Sequence, residues 1–77
     1  MEKYAAQYVN LSRNIRFYRK LARLTQSQLA EMADISTGWM GHIESESMIT
    51  PVSLQTIFAI AEALGIHESK LFEKREL

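Results

Sequence analysis

The strongest constraint on this chain lies between Thr25 and Glu44. Two segments with helical apolar spacing, about 26–33 and about 37–45, are separated only by Asp34, Ile35 and Ser36. So short a connection rules out a bundle hairpin with long arms, and the second helix must cross the first at a steep angle. Ala30 is small enough for that close crossing, and Ile35 plugs the corner. On the second helix Met40 and Ile43 point inward, with Ser36 near them, while Gly38, Gly41, His42 and Ser45 point the other way. The sequence therefore describes a rigid helix pair that holds one face out.

The rest of the chain is also helical in period. Tyr4, Tyr8, Leu11, Ile15 and Tyr18 recur at alternating spacings of four and three, which predicts one helix from near the N-terminus to about Ala22, with residues 1–10 as a helical extension. Thr25 reads as an N-cap with Gln28 as its capping-box partner. Asp34 takes the turn, since Asp tolerates the left-handed region better than most residues. Ser36 and Ser53 read as further N-caps, and Gly65 as a C-cap. Residues 46–50 form a loop ending at Pro51, and the next helix carries Leu54, Ile57, Phe58, Ile60, Ala61 and Leu64. A short fifth helix is predicted over about 68–72, with residues 73–77 frayed. The expectation is one all-α domain over 1–77, five short helices around one core, with the paired-helix motif at about 25–45.

Composition excludes several classes. A chain of 77 residues buries only about 60% of its unfolded surface, which leaves little material for the walls of a catalytic cleft. There is no cysteine, hence no disulfide framework or thiolate metal site. His42 and His67 share no ligand spacing. No nucleophile–base pair, paired carboxylates or phosphate-binding glycine loop stands out, so neither an enzyme nor a cofactor is expected. No apolar run reaches the ~18 residues of a membrane span, and no leader pattern opens the chain; a cytoplasmic protein is expected. Net charge is zero, which argues against a generic polyanion binder. Its distribution is uneven. Arg13, Arg16, Arg19, Lys20 and Arg23 crowd one segment, whereas no Lys or Arg occurs from Leu24 to Ser69. Glu31, Asp34, Glu44, Glu46, Glu62 and Glu68 all lie in that second stretch.

The ordered set Arg19, Thr25-Gln26, Leu29-Ala30, Ser36, Ile43-Glu44, Pro51 and Ala61-Glu62-Ala63-Leu64-Gly65 resembles the Cro/repressor-type helix-turn-helix family, also called the xenobiotic-response-element family. The resemblance covers about Leu11 to Phe72. It implies a five-helix repressor-like domain that binds double-stranded DNA through the second motif helix. Ser36, Thr37, Gly38, Trp39, Gly41, His42 and Ser45 then occupy the recognition segment. Gln26 would touch the DNA backbone or a flanking base. Arg19 and Glu44 match an internal, structural ion pair. Arg13, Arg16 and Arg23 are the cations on offer to phosphates, against the plainer reading of a solvated helix face. For Trp39 the plainer reading is a flank packed on the preceding helix; for His42, a solvated surface histidine.

This chain departs from the family pattern in three places. Asp34 stands where glycine is usual. Gly38 and Gly41 each cost about 1 kcal/mol in a helix interior relative to alanine. The loop after the recognition helix carries Glu46 in place of basic residues, so DNA binding weaker and less salt-sensitive than is usual for the family is expected. The function implied is a transcriptional regulator acting as a homodimer on a palindromic operator. Tyr4, Tyr8, Ile66, Leu71 and Phe72 are the apolar candidates for its interface. The alternative is a protein-interaction module on the same fold, such as an antitoxin with a toxin-like partner, which the acidic middle would suit.

Overall fold

The structure, a computed structural model, describes residues 2–75. A 3-10 turn at Glu2–Tyr4 leads into α1 (Ala5–Leu21). Three shorter helices follow, α2 (Gln26–Met32), α3 (Thr37–Glu44) and α4 (Leu54–Leu64), and a second 3-10 turn spans Glu68–Phe72. No strand occurs among the described residues, and none of the helices is long and apolar enough to cross a membrane.

Helix starts follow side-chain chemistry. The hydroxyls of Thr25, Ser36 and Ser53 accept from the backbone N–H groups of Gln28, Trp39 and Thr56 at 3.0, 3.0 and 3.2 Å. Each satisfies a donor that the first helical turn leaves orphaned. At α2 the box is reciprocal: the Thr25 N–H donates to Gln28 Oε1 at 2.8 Å.

Three helices end by one device. After α1, α2 and α4 a single residue turns left-handed: Arg23 (φ 61°), Asp34 (φ 60°) and Gly65 (φ 70°). The next residue then donates its N–H to a carbonyl five positions back: Leu24 to Arg19, Ile35 to Ala30 and Ile66 to Ala61, at 2.9–3.1 Å. This closure satisfies the last carbonyls and throws an apolar side chain back onto the helix. Leu24, Ile35 and Ile66 all pack against the core in this way.

That core comprises Leu11, Ile15, Leu29, Ala30, Ala33, Met40, Ile43, Ile57, Ile60, Ala61 and Leu71. Of the six apolar residues of α4 singled out from sequence, Leu54 and Phe58 stay out of it, 65% and 51% exposed.

The expected fifth helix does not form: among the described residues there are four α-helices, and residues 68–72 form a 3-10 turn. Its carbonyls are drawn off by a side chain distant in sequence. Asn14, fully buried, donates its Nδ2 to the carbonyls of Leu71 at 2.9 Å and Glu73 at 2.7 Å. Residues 73–75 are likewise held rather than frayed, while 76–77 lie outside the described residues. Asn10 also donates to the Glu73 carbonyl at 2.8 Å, and its Oδ1 accepts from the Arg75 N–H at 2.8 Å. Arg75 Nε donates to Asn14 Oδ1 at 2.6 Å, and its guanidinium lies 3.7 Å from the Phe17 ring centre.

Asn14→Ala takes the side-chain donor from the buried Leu71 carbonyl and leaves the Glu73 carbonyl with Asn10 alone, an effect of about 1–3 kcal/mol. Urea denaturation should show a lower midpoint for it than for Asn10→Ala, whose partners are nearer solvent. Equal midpoints would show that the Asn14 contacts do not hold the C-terminal turn in solution.

Candidate nucleic-acid interface

The outward face of α3 is made by fixing its inward face. Met40 and Ile43 are buried in the core, and Glu44 is 3% exposed. Arg19 of α1 grips the Glu44 carboxylate bidentately, Nε to Oε2 at 2.7 Å and Nη2 to Oε1 at 2.9 Å, and its Nη1 donates to the Leu24 carbonyl at 2.9 Å. Gln26 of α2 donates its Nε2 to the same Glu44 Oε1 at 3.1 Å. Ser12 of α1 donates to the Ile43 carbonyl at 2.7 Å. The end of α3 is thus tied to both preceding helices.

Opposite this anchor lie Thr37, Gly38, Trp39 and His42, all exposed, with Gly41 half-buried. Thr37 Oγ1 and Ser27 Oγ are 3.1 Å apart, linking the starts of α3 and α2. His42 Nδ1 lies 3.0 Å from the Met48 sulfur. Thioether sulfur only accepts, so in this contact Nδ1 is the donor, and Nε2 points away from it. The Trp39 ring is tilted against His42, with centroids 6.2 Å apart. Its indole remains 41% exposed. A Cβ on Gly38 would meet nothing within 4 Å, and one on Gly41 only Gln26 Oε1 at 3.8 Å. The packing therefore does not require glycine at either position.

Several residues singled out from sequence are placed differently. Ser36 Oγ is engaged as the cap of α3, and Ser45 Oγ lies 3.1 Å from Ser47 Oγ. The amide nitrogen of Gln26 is taken by Glu44, which leaves only its oxygen toward α3. Arg13 and Arg16 do not stand free on a solvated face: Arg13 Nε pairs with Glu46 Oε1 at 3.0 Å, and Arg16 Nη2 pairs with Glu46 Oε2. Arg23 is exposed in the α1–α2 turn. The Arg16 hydrogen bond, with Arg13 adding to it, holds the Glu46 carboxyl below its ordinary range.

Among the apolar candidates for an interface, Leu71 is fully buried and belongs to the core, so it is not available to a partner. Tyr8 and Ile66 are half-buried, whereas Tyr4 and Phe72 are 51% and 54% exposed. Sequence reasoning missed Leu54, which joins Tyr4, Tyr8, Val52 and Phe72 around a groove of about 270 Å³. It also missed the exposed Phe58 one turn further on. The signal was present in α4. Its eight apolar residues are too many for one stripe, and Leu54 and Phe58, four apart, form a second one.

Removing one partner of a buried ion pair costs about 3–5 kcal/mol. Glu44→Ala should therefore melt far below Glu46→Ala, whose carboxylate sits at the surface. Equal melting points would show that the Arg19–Glu44 pair does not anchor α3. The Glu46 carboxyl should also titrate below a free glutamate by NMR and move up in Arg16→Gln. Its folded value is the depressed one, so its contribution to stability is present above the ordinary glutamate range and is lost as pH falls through the lowered value.

The sequence model of the helix-turn-helix family matches residues 15–71. The chain is 33% identical over 67 residues to the control protein C.SmaI of Serratia marcescens, covering 87% of this chain and 77% of that one. It is 38% identical over 69 residues to the immunity repressor protein of Bacillus phage phi105, covering 90% of this chain but 46% of that longer protein. The crystal structure of the restriction-modification controller protein C.AhdI from Aeromonas hydrophila superposes with a TM-score of 0.81 at 30% identity, over 87% of this chain and 98% of that one. The chain belongs to the Cro/repressor-type helix-turn-helix family of DNA-binding transcriptional regulators.

Proposed function

We propose that this regulator acts as a homodimer on a palindromic operator and reads each half-site with the outward face of α3. The observation that carries this reading is the asymmetry of α3: Met40, Ile43 and Glu44 are buried, while Thr37, Gly38, Trp39 and His42 stand exposed on the other side. A helix so held can enter the major groove without rearrangement. His42 Nε2 suits an exocyclic amine of adenine or cytosine, and the Thr37 hydroxyl can serve either sense. Gly38 and Gly41 let the α3 backbone approach base edges closely, since no neighbour in the fold calls for glycine there.

Two copies are needed because one such helix reads too few base pairs for useful specificity in a genome. The apolar rim of Tyr4, Leu54, Phe58 and Phe72, all exposed, is the surface offered to the second copy. Operator half-sites should then lie one helical turn apart, roughly 34 Å.

Selection of bound duplexes from a random pool tests the assignment. A two-fold symmetric consensus is expected, and His42→Ala should change the preferred bases at a cost of about 1–3 kcal/mol. An unchanged consensus after both Thr37→Ala and His42→Ala would refute the assignment to α3. Absence of any selected duplex would favour a protein-interaction role for the fold. Gly38→Ala should raise thermal stability through helix propensity, by up to about 1 kcal/mol, while weakening operator binding; tighter binding would show that the glycine serves no close approach. Sedimentation should show a dimer at micromolar concentration that Leu54→Glu dissociates. A monomer both free and on DNA would rule the dimer out.

A further inference from the structure

We propose that Glu46 stands in for a DNA phosphate in the unbound protein, holding Arg13 and Arg16 at the exit of α3 until phosphates flanking the half-site displace it. This rests on the DNA-binding reading above and assigns a regulatory part to a residue outside the recognition face.

The position of the cluster is the first argument. Glu46 lies one residue beyond Ser45, the C-cap of α3. Ser12 and Arg19 of α1 bond to Ile43 and Glu44 at that same end of α3. Arg13 and Arg16 lie between them in sequence and reach Glu46. The two guanidiniums therefore border the helix that enters the groove.

Chemistry is the second. A guanidinium fork matches carboxylate and phosphate oxygens alike, so the partner that holds these arginines can be exchanged for the other without a new geometry. All three side chains reach the surface: those of Arg13 and Arg16 are 33% and 36% exposed, that of Glu46 28%. Ion pairs at this exposure are weak and exchangeable.

Supply is the third. With no Lys or Arg between Leu24 and Ser69, α3 and the loop after it carry no cation of their own, and the arginines of α1 that reach this edge are Arg13, Arg16 and Arg19. Arg19 is buried against Glu44 and cannot be released without unseating α3. Arg13 and Arg16 are the cations at this edge that can change partner. While Glu46 holds them, a duplex of any sequence must displace the carboxylate before it gains their charge. Glu46 thereby lowers affinity for DNA generally and leaves sequence-dependent contacts on α3 to supply the difference between sites.

The test compares the wild type, Glu46→Gln, Arg13→Gln/Arg16→Gln and the triple variant on the selected duplex across a salt series, with thermal melts confirming that each is folded. Glu46→Gln should bind about tenfold more tightly at low salt. Arg13→Gln/Arg16→Gln should bind more weakly, with the slope of log K against log salt shallower by about two per protomer. The triple variant should bind like the double arginine variant, because without the arginines Glu46 has nothing to withhold. No gain from Glu46→Gln, or the same gain with and without the arginines, overturns the proposal, the latter showing a mere through-space charge effect. Failure of the wild type to bind any duplex overturns the DNA-binding reading and this proposal with it. Wild-type binding without coupling between Glu46 and the arginines overturns this proposal alone.

Discussion

The Glu44 carboxylate is the interaction on which the arrangement of this protein depends. It is buried at the end of α3 and accepts from Arg19 of α1 and Gln26 of α2. A carboxylate in that position is tolerable only while its donors are in place, since an uncompensated buried charge is strongly destabilising. The need to keep it satisfied sets the angle and the register of α3 relative to both earlier helices. The apolar contacts of Met40 and Ile43 seat the helix, but such contacts are non-directional. The bidentate guanidinium supplies direction.

The outward face follows from that anchor. Because Glu44 and Gln26 answer each other, and Arg19 is enclosed, the strong charge-assisted contacts near α3 are internal. What remains outside includes no Lys, Arg or carboxylate: Thr37, two glycines, an imidazole and an indole. Such a surface derives little from counterion release and depends on fit against base edges instead. It is the chemistry of a reader whose selectivity outweighs its general attraction to DNA.

The all-helical fold and the motif helices were legible in the sequence because local chemistry marks them. Thr25, Ser36 and Ser53 announce their helices, and Gly65 and Asp34 their ends. Arg23 was not legible as a left-handed terminator, since arginine carries no such preference; the apolar Leu24 after it, parallel to Ile35 and Ile66, was the available hint. The apolar spacing of residues 68–72 predicts a helix because it cannot register Asn14, which captures the Leu71 carbonyl from 57 positions away. The same long reach hid the pairing of Arg13 and Arg16 with Glu46. Leu71 and Phe72 are neighbours in sequence, yet one fills the core and the other faces solvent, a distinction that only the packed turn decides. The Arg19–Glu44 contact came from resemblance to relatives, since nothing in the local pattern brings the two together.

Whether the anchored α3 is the surface that reads DNA is tested by an NMR titration of labelled protein with the selected duplex. Backbone shifts should concentrate in residues 36–46, with the Arg13 and Arg16 side chains moving in step and the buried Arg19 Nε resonance staying fixed. Shifts centred on Tyr4, Leu54, Phe58 and Phe72, with α3 unperturbed, would contradict it.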